Sequence, residues 1–283
     1  MTLLRKPVIE LACGLALAAV LSEATAMRVP AADATAEAAA SEEQVAVERL
    51  KSETDPTILK RRVWLETEWN SYRDGSDNVE ETLGGLWAWR LTDNADWAVR
   101  LKLPYEWHFA GHDPGDSDEH GFGDIKVAGG GAHRFSETLS AGGGLELRMP
   151  TAEDDLGDDV WKLQEFGTLA WDATRWLSFT PTFEYNQSVA EEDNASPQHN
   201  LELFAPATVI LPHKWSVTAR YEAKIDFEND NYVTQSGKLY LSKAFQKVPI
   251  SFTASIKKPF NTGNKDYQVN FVVTYFFQSK RPQ

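Results

Sequence analysis

Residues 97–109 read WAVRLKLPYEWHF, and nearly every second side chain is large and apolar. Trp97, Val99, Leu101, Leu103, Tyr105, Trp107 and Phe109 fall on one side of an extended chain, whereas Ala98, Arg100, Lys102, Glu106 and His108 fall on the other. Successive side chains of a strand point to opposite faces, so this period of two predicts a strand with one greasy face and one charged face. The pattern recurs at Trp215–Phe227, where Val217, Ala219, Tyr221 and Ile225 alternate with Thr218, Arg220, Glu222 and Lys224, and again at Tyr267–Phe277.

Outward from these stretches the same signal marks twelve segments, near 61–72, 79–91, 97–109, 122–135, 138–149, 161–171, 176–187, 199–211, 215–227, 233–244, 249–259 and 266–277. Each is long enough to cross a bilayer obliquely, for which about 9 to 11 residues suffice. Short connections (Thr92–Asp96, Ser136-Glu137, Asp172–Arg175, Pro212–Lys214, Phe245–Val248) take turns with longer acidic ones such as GHDPGDSDEH at 111–120, TAEDDLGDD at 151–159 and SVAEEDNASPQ at 188–198. That rhythm predicts an all-β chain: a single closed antiparallel transmembrane β-barrel of twelve strands, with short periplasmic turns and external acidic loops.

Two features turn the apolar face outward. Twelve strands enclose a lumen too wide for one apolar face to fill, since about eight is the packed limit. Aromatic residues also gather at strand ends: Trp89, Trp97, Trp171, Trp176, Trp215 and Phe277 near short turns, and Tyr72, Trp107, Phe109, Tyr185, Phe227 and Tyr267 near long loops. Such girdles mark membrane interfaces. Pro104, Pro181 and Pro206 sit inside expected strands and each lacks a ladder donor, so bulges or strand ends are expected there.

The composition agrees. The chain has 283 residues, a formal net charge of −14, one Cys and 18 Gly, and no apolar run of the length a spanning helix requires. Residues 1–26 carry a basic start, an apolar stretch and the Ala24-Thr25-Ala26 triplet, as a cleaved signal peptide would. Glu10 upstream of Cys13 argues against a lipid anchor at that cysteine. Residues 27–57 form an acidic, Ala-rich lead-in in which Ser41–Glu53 suits a short polar helix, with Val45 and Leu50 as its apolar contacts; it is either a flexible segment or one that plugs a pore or meets a partner. The barrel occupies 58–283. Localisation in the outer membrane of a Gram-negative-type bacterium follows, with outer-membrane lipid, lipopolysaccharide, the barrel assembly machinery and a small-molecule solute as partners. Net acidity works against nucleic acid as a partner.

With the apolar face outward, parity places Arg62, Glu66, Glu68, Arg90, Arg100, Lys102, Glu106, Glu146, Arg148, Glu184, Glu202, Arg220, Glu222, Lys224, Lys238 and Lys257 in the lumen. Both signs alternate along single strands, which suits either a paired interior ion network or a polar constriction that selects solutes. In VAGGGAHRFSETLSAGGGLEL, residues 127–147, two glycine triplets flank a turn. A two-residue turn at Ser136-Glu137 would pair Gly129, Gly130 and Gly131 with Gly144, Gly143 and Gly142, and Ala132 with Ala141. That wall patch is read either as a bend in the barrel or as a lateral gap for an apolar solute.

No catalytic, cofactor-binding or metal-binding constellation emerges. None of His108, His112, His120, His133, His199 and His213 has a serine two residues on, as a lipid-acting barrel hydrolase would want. Asp154-Asp155 and Asp158-Asp159 lack the spacing of a calcium loop. The expected function is an outer-membrane channel or transporter for passive passage of small solutes. A lipid-acting hydrolase and a structural or adhesive barrel remain as alternatives.

GFGDIKV at 121–127, followed by a hairpin and then LELRMPTAEDDLG at 145–157, resembles the paired signature of the MetA-pathway of phenol degradation family of outer-membrane transporters. The matching positions are Gly121, Gly123, Asp124, Pro150, Thr151 and Gly157. Two departures stand out: Ala152-Glu153 follows Pro150-Thr151 where the family more often has Gly then Asp, and Gln278–Gln283 extends the terminal aromatic strand. The resemblance implies a barrel that passes small, apolar or aromatic molecules.

Overall fold

The computed structural model describes residues 34–109, 118–153, 156, 157, 159–191, 197–261 and 265–277. Residues 1–33 with Cys13, most of the acidic 111–120 stretch with His112, Asp154-Asp155, Asp158 and residues 278–283 therefore lie outside the described residues. The chain divides into two compact units, Met1–Ser41 and Glu42–Gln283. In the first, residues 34–41 are described and are helical; they open helix α1 (Ala34–Thr54).

The second unit is a barrel. Its strands are β1 (Arg62–Tyr72), β2 (Asp77–Thr92), β3 (Ala95–Phe109), β4 (Glu119–Phe122), β5 (Lys126–Arg134), β6 (Leu139–Arg148) and β7 (Val160–Thr174), then β8 (Leu177–Phe179), β9 (Thr182–Glu191), β10 (His199–Leu211), β11 (Trp215–Asp226), β12 (Tyr232–Ala244), β13 (Ile250–Pro259) and β14 (Lys265–Phe276). All pairings are antiparallel. β4 and β5 both pair with β3, and β8 and β9 both lie between β7 and β10, so each couple is one interrupted stave. β1 pairs with β14, and the chain of neighbours returns on itself. The result is a closed barrel of twelve staves.

The prolines explain the interruptions. Pro104 is continuous with β2 on one side. On its other side, β3 changes partner from β5 to β4, and the register moves by one residue between Lys102↔Lys126 and Tyr105↔Phe122. The Pro104 carbonyl accepts there from Gly123 N (3.1 Å), so its missing N–H points into the irregular stretch. Pro206 keeps its ladder to β11 and turns its donor-less side towards the β8/β9 break, where its carbonyl accepts from Thr180 N. Pro181 ends that break from within.

Burial runs opposite to that of a water-soluble barrel. Thr82 is 3% exposed and its neighbour Leu83 is 55% exposed. The same inversion sets buried Thr168, Thr208, Thr218, Asn270 and Thr274 against exposed Leu145, Leu169, Leu239, Leu241 and Val273. A continuous apolar belt of this extent is far larger than water-soluble surfaces carry, whereas lipid solvates it. Trp89, Trp97, Trp171, Trp176 and Phe277 stand exposed beside the short turns.

One register departs from the sequence expectation. The β5–β6 hairpin pairs Gly130 with Gly144, Gly131 with Gly143, Ala132 with Gly142 and His133 with Ala141, one residue away from the pairing a two-residue turn would impose. The turn has three residues, Ser136–Thr138, closed by Phe135 N to Leu139 O at 2.9 Å and by the Ser136 hydroxyl accepting from Leu139 N at 3.1 Å. The face pattern dictates this: a two-residue turn would align Glu146 with Val127 on the lipid side, and a one-residue slip exchanges the two faces of a strand.

Candidate functional site: the charged lumen and the helix end at its mouth

From Glu43 onward the helix meets the barrel at the short-turn end. Ala46 and Leu50, four residues apart and so on one helical face, are fully buried with Ala244 of β12. Val45, expected as a contact, is 41% exposed; it lies about 100° around the helix from Ala46. The Arg49 guanidinium donates to the carbonyls of Phe245 (3.2 Å) and Val248 (3.0 Å) in the β12–β13 turn.

Beyond these contacts, the segment's last turn and its exit are tied to inner-face residues around the circumference. Lys51 Nζ pairs with Asp172 of β7 at 2.6 Å. Thr180 donates to the Thr54 carbonyl, Thr208 of β10 meets the Thr54 hydroxyl, and Ser251 of β13 donates to Glu53. Thr57 meets Ser140 of β6, and Arg62 of β1 donates to the Ser52 carbonyl at 2.6 Å. Six staves thus converge on residues 51–57. Lys214, in the turn Pro212–Lys214, pairs with Glu43 and holds that carboxyl below its ordinary range. Burial instead pushes Asp55 up, against two hydrogen bonds from Thr57 at 2.8 and 2.7 Å.

Above the helix end, register places the ionisable side chains on the inner face in three groups. In the first, Glu222 is 4% exposed and accepts from Arg220, from Lys257 (2.5 Å) and from Ser236 (3.1 Å). The Arg220 guanidinium lies between the rings of Phe204 (4.8 Å) and Tyr240 (5.2 Å), and Lys238 sits 5.0 Å from the Tyr240 ring. Arg–aromatic stacking of this kind is favourable where water is scarce. In the second, Arg100 pairs with Glu146 at 2.6 Å beside Lys102, and Glu184 faces Glu202 in register, the latter 3.7 Å from Lys224. In the third, Asn270 donates to Glu66, Asn70 to Glu68 and Lys265 to Asn70. His108 and Asn78 meet Glu106.

Arg90 shares the inward parity of β2, but it stands at the short-turn rim, 68% exposed at its side chain and 3.5 Å from Asp96, where β2 has run past the start of β1 and is paired with β3 alone. Sequence parity passed over Lys126, Lys162 and Lys265, which share the inner face with the others. Glu165 has the opposite orientation: it is exposed among Leu145 and Tyr185 on the outer face.

The signature residues form one small structure at the β4/β5 interruption. Asp124 is 1% exposed; it accepts from the backbone N–H groups of Thr151 and Ala152 (both 3.1 Å) and from Arg148 Nε (3.0 Å). Thr151 Oγ1 accepts from Ile125 N. Asp124 thereby fastens the stretch after β6 to the gap in the neighbouring stave. Among the described residues no group of three or more His, Cys, Asp or Glu side chains is disposed to hold a metal ion. The glycine wall is backbone against backbone: a Cβ on Gly130 would lie 2.6 Å from the Gly143 carbonyl oxygen, and one on Gly144 would lie 2.3 Å from that of Gly129.

Fold and inner face together define a membrane barrel of the outer-membrane type. No protein-family model matches the chain, and no curated protein does. Among solved structures it is similar to the COG4313 outer membrane channel from Pseudomonas putida F1, at 14% identity over 77% of this chain and 96% of that one, with a TM-score of 0.67. It is also similar to the NanC porin (11%, 77% and 100%, TM-score 0.52) and to the translocator domain of autotransporter NalP from Neisseria meningitidis (12%, 86% and 98%, TM-score 0.52). Identities this low carry the fold, and a channel, a porin and a translocator share it.

Proposed function

We propose that the protein is an outer-membrane channel for small solutes, held shut at its short-turn mouth by the end of helix α1. The observation that carries this reading is the convergence of six staves on residues 51–57, at the foot of an inner face lined by ionisable groups. The docked segment is held by side-chain contacts, the ion pairs Lys51–Asp172 and Lys214–Glu43, the two Arg49 bonds and single hydrogen bonds, and by no strand pairing, so it can leave without opening the wall.

A solute enters between the external acidic loops, passes the charged groups and leaves to the periplasm when the helix end lifts. The resemblance of the 121–157 stretch suggests small, apolar or aromatic cargo. A lateral exit through Gly129–Gly131 and Gly142–Gly144 is the other route; the close backbone approaches favour a bend in the wall at that place. Planar-bilayer recording tests the reading. The intact protein should show rare openings, and a variant carrying Arg49→Ala with Lys51→Ala should show frequent ones. If both are silent at all voltages, the barrel is not a channel.

A further inference from the structure

Four neighbouring staves each present one cation to the lumen at positions that face one another in register. Lys102 of β3 pairs with Lys126 of β5, Lys126 with Arg148 of β6, and Arg148 with Lys162 of β7. Like charges directly opposite destabilise a sheet. This chain aligns four in succession although its formal charge is −14.

The row is also a slope. Strands of a barrel are tilted, so a row of register partners climbs the wall. Lys102 lies seven residues from the short-turn end of its strand at Ala95, Arg148 nine from Leu139, and Lys162 twelve from Thr174. The cations therefore descend from the external mouth to mid-lumen, where Arg100 follows two residues below Lys102. Carboxylates temper the row along its length: Asp124 holds Arg148, and Glu146, paired with Arg100, lies one inner row below Lys102 and Lys126. Among the described residues no carboxylate oxygen lies within 4.0 Å of the amine of Lys102 or Lys126. The next inner row below these two amines holds Arg100, Ala128 and the Glu146 carboxylate that Arg100 pairs with; one row further on the wall turns apolar, where Gly130 and Gly144 face each other with the Phe166 ring against Gly144 and the Arg100 guanidinium 5.9 Å from that ring.

We propose that the Lys126 and Lys102 amines of this slope are a binding site for small organic anions, whose carboxylate sits on the two amines while the apolar body reaches past Ala128 to the glycine and Phe166 wall. The inference rests on the channel reading for its purpose and narrows its cargo to acids with an apolar body. It also gives the facing Lys102 and Lys126 amines a ligand that offsets their repulsion.

Binding is tested apart from conduction. Full-length protein in detergent is titrated with 4-fluorobenzoate and followed by fluorine NMR. The parent should bind saturably, and the Lys102→Gln, Lys126→Gln double variant should bind about tenfold more weakly, as expected for loss of charge-assisted contacts. 4-Fluorobenzyl alcohol should not distinguish the two proteins, and Lys102→Arg should keep the affinity. Retention of the double variant's heat-modifiable gel band confirms that it folds. Equal affinity of parent and double variant, or stronger binding of 4-fluorobenzylammonium, overturns the proposal. Conductance across a tenfold KCl gradient with cation preference also overturns it while leaving the channel intact. Anion binding without any conductance supports the site and removes the channel.

Discussion

If the helix end closes the mouth, loss of the Arg49 side chain should release it by an amount the geometry sets. Arg49 is 7% exposed and its guanidinium serves two turn carbonyls, those of Phe245 and Val248. Hydrogen bonds to a charged donor contribute about 1.5–3 kcal/mol each when a partner is removed. The two carbonyls sit at a mouth that water can reach once the side chain is gone, which offsets roughly half of that loss. A net weakening of about 1.5–3 kcal/mol raises the undocked fraction about 10- to 150-fold. Leu50 supplies the reporter, since it is fully buried only while the helix end is docked. In a Cys13→Ser, Leu50→Cys background, maleimide labelling of reconstituted protein reads the undocked fraction, and Arg49→Ala should accelerate it by that factor. Labelling that is already fast in the parent, or unchanged by Arg49→Ala, would refute the closed mouth.

Three further outcomes follow from other parts of the molecule. Gly130→Val should abolish the heat-modifiable folded band, because the new Cβ meets backbone at 2.6 Å; a folded variant that loses only solute flux would point to a lateral gap instead. Glu222→Gln leaves Arg220 and Lys257 without their shared carboxylate and should cost about 3 kcal/mol in urea unfolding, the lower bound for breaking a buried pair. Asp55 is held above its ordinary carboxyl range by burial, so the docked form binds its proton more tightly than the undocked form. Docking is then strongest at low pH and weakens as pH rises through the raised value. Asp55→Asn keeps the oxygen that accepts from Thr57, so it should raise the closed fraction in bilayers at pH 7 and converge with the parent near pH 4.

Much of the barrel was legible because its physics is local. A strand that faces lipid on one side and charge on the other must alternate, and the twelve expected segments fall within a few residues of the observed staves. The prolines were equally readable, since a missing donor must face a gap. The hairpin register was missed because the two glycine triplets suggest a symmetric turn, whereas the decisive signal lies at the far ends of the strands, where Val127 must face lipid and Glu146 the lumen. Lys126 escaped because its strand is mostly glycine and alanine, so Val127 alone sets its parity. The helix contacts were hidden because they are polar, one per stave, and only Ala46 and Leu50 leave an apolar trace.

The connector between Thr54 and Arg62 bounds what any gate can do. Residues 55–61 reach at most about 25 Å when fully extended, and their far end is fixed where β1 joins β14. A released helix end therefore stays within a small volume around its own seat, at a local concentration in the millimolar range expected for short tethers. Openings should accordingly be brief and self-terminating, with reclosure at a rate independent of how much protein the membrane holds.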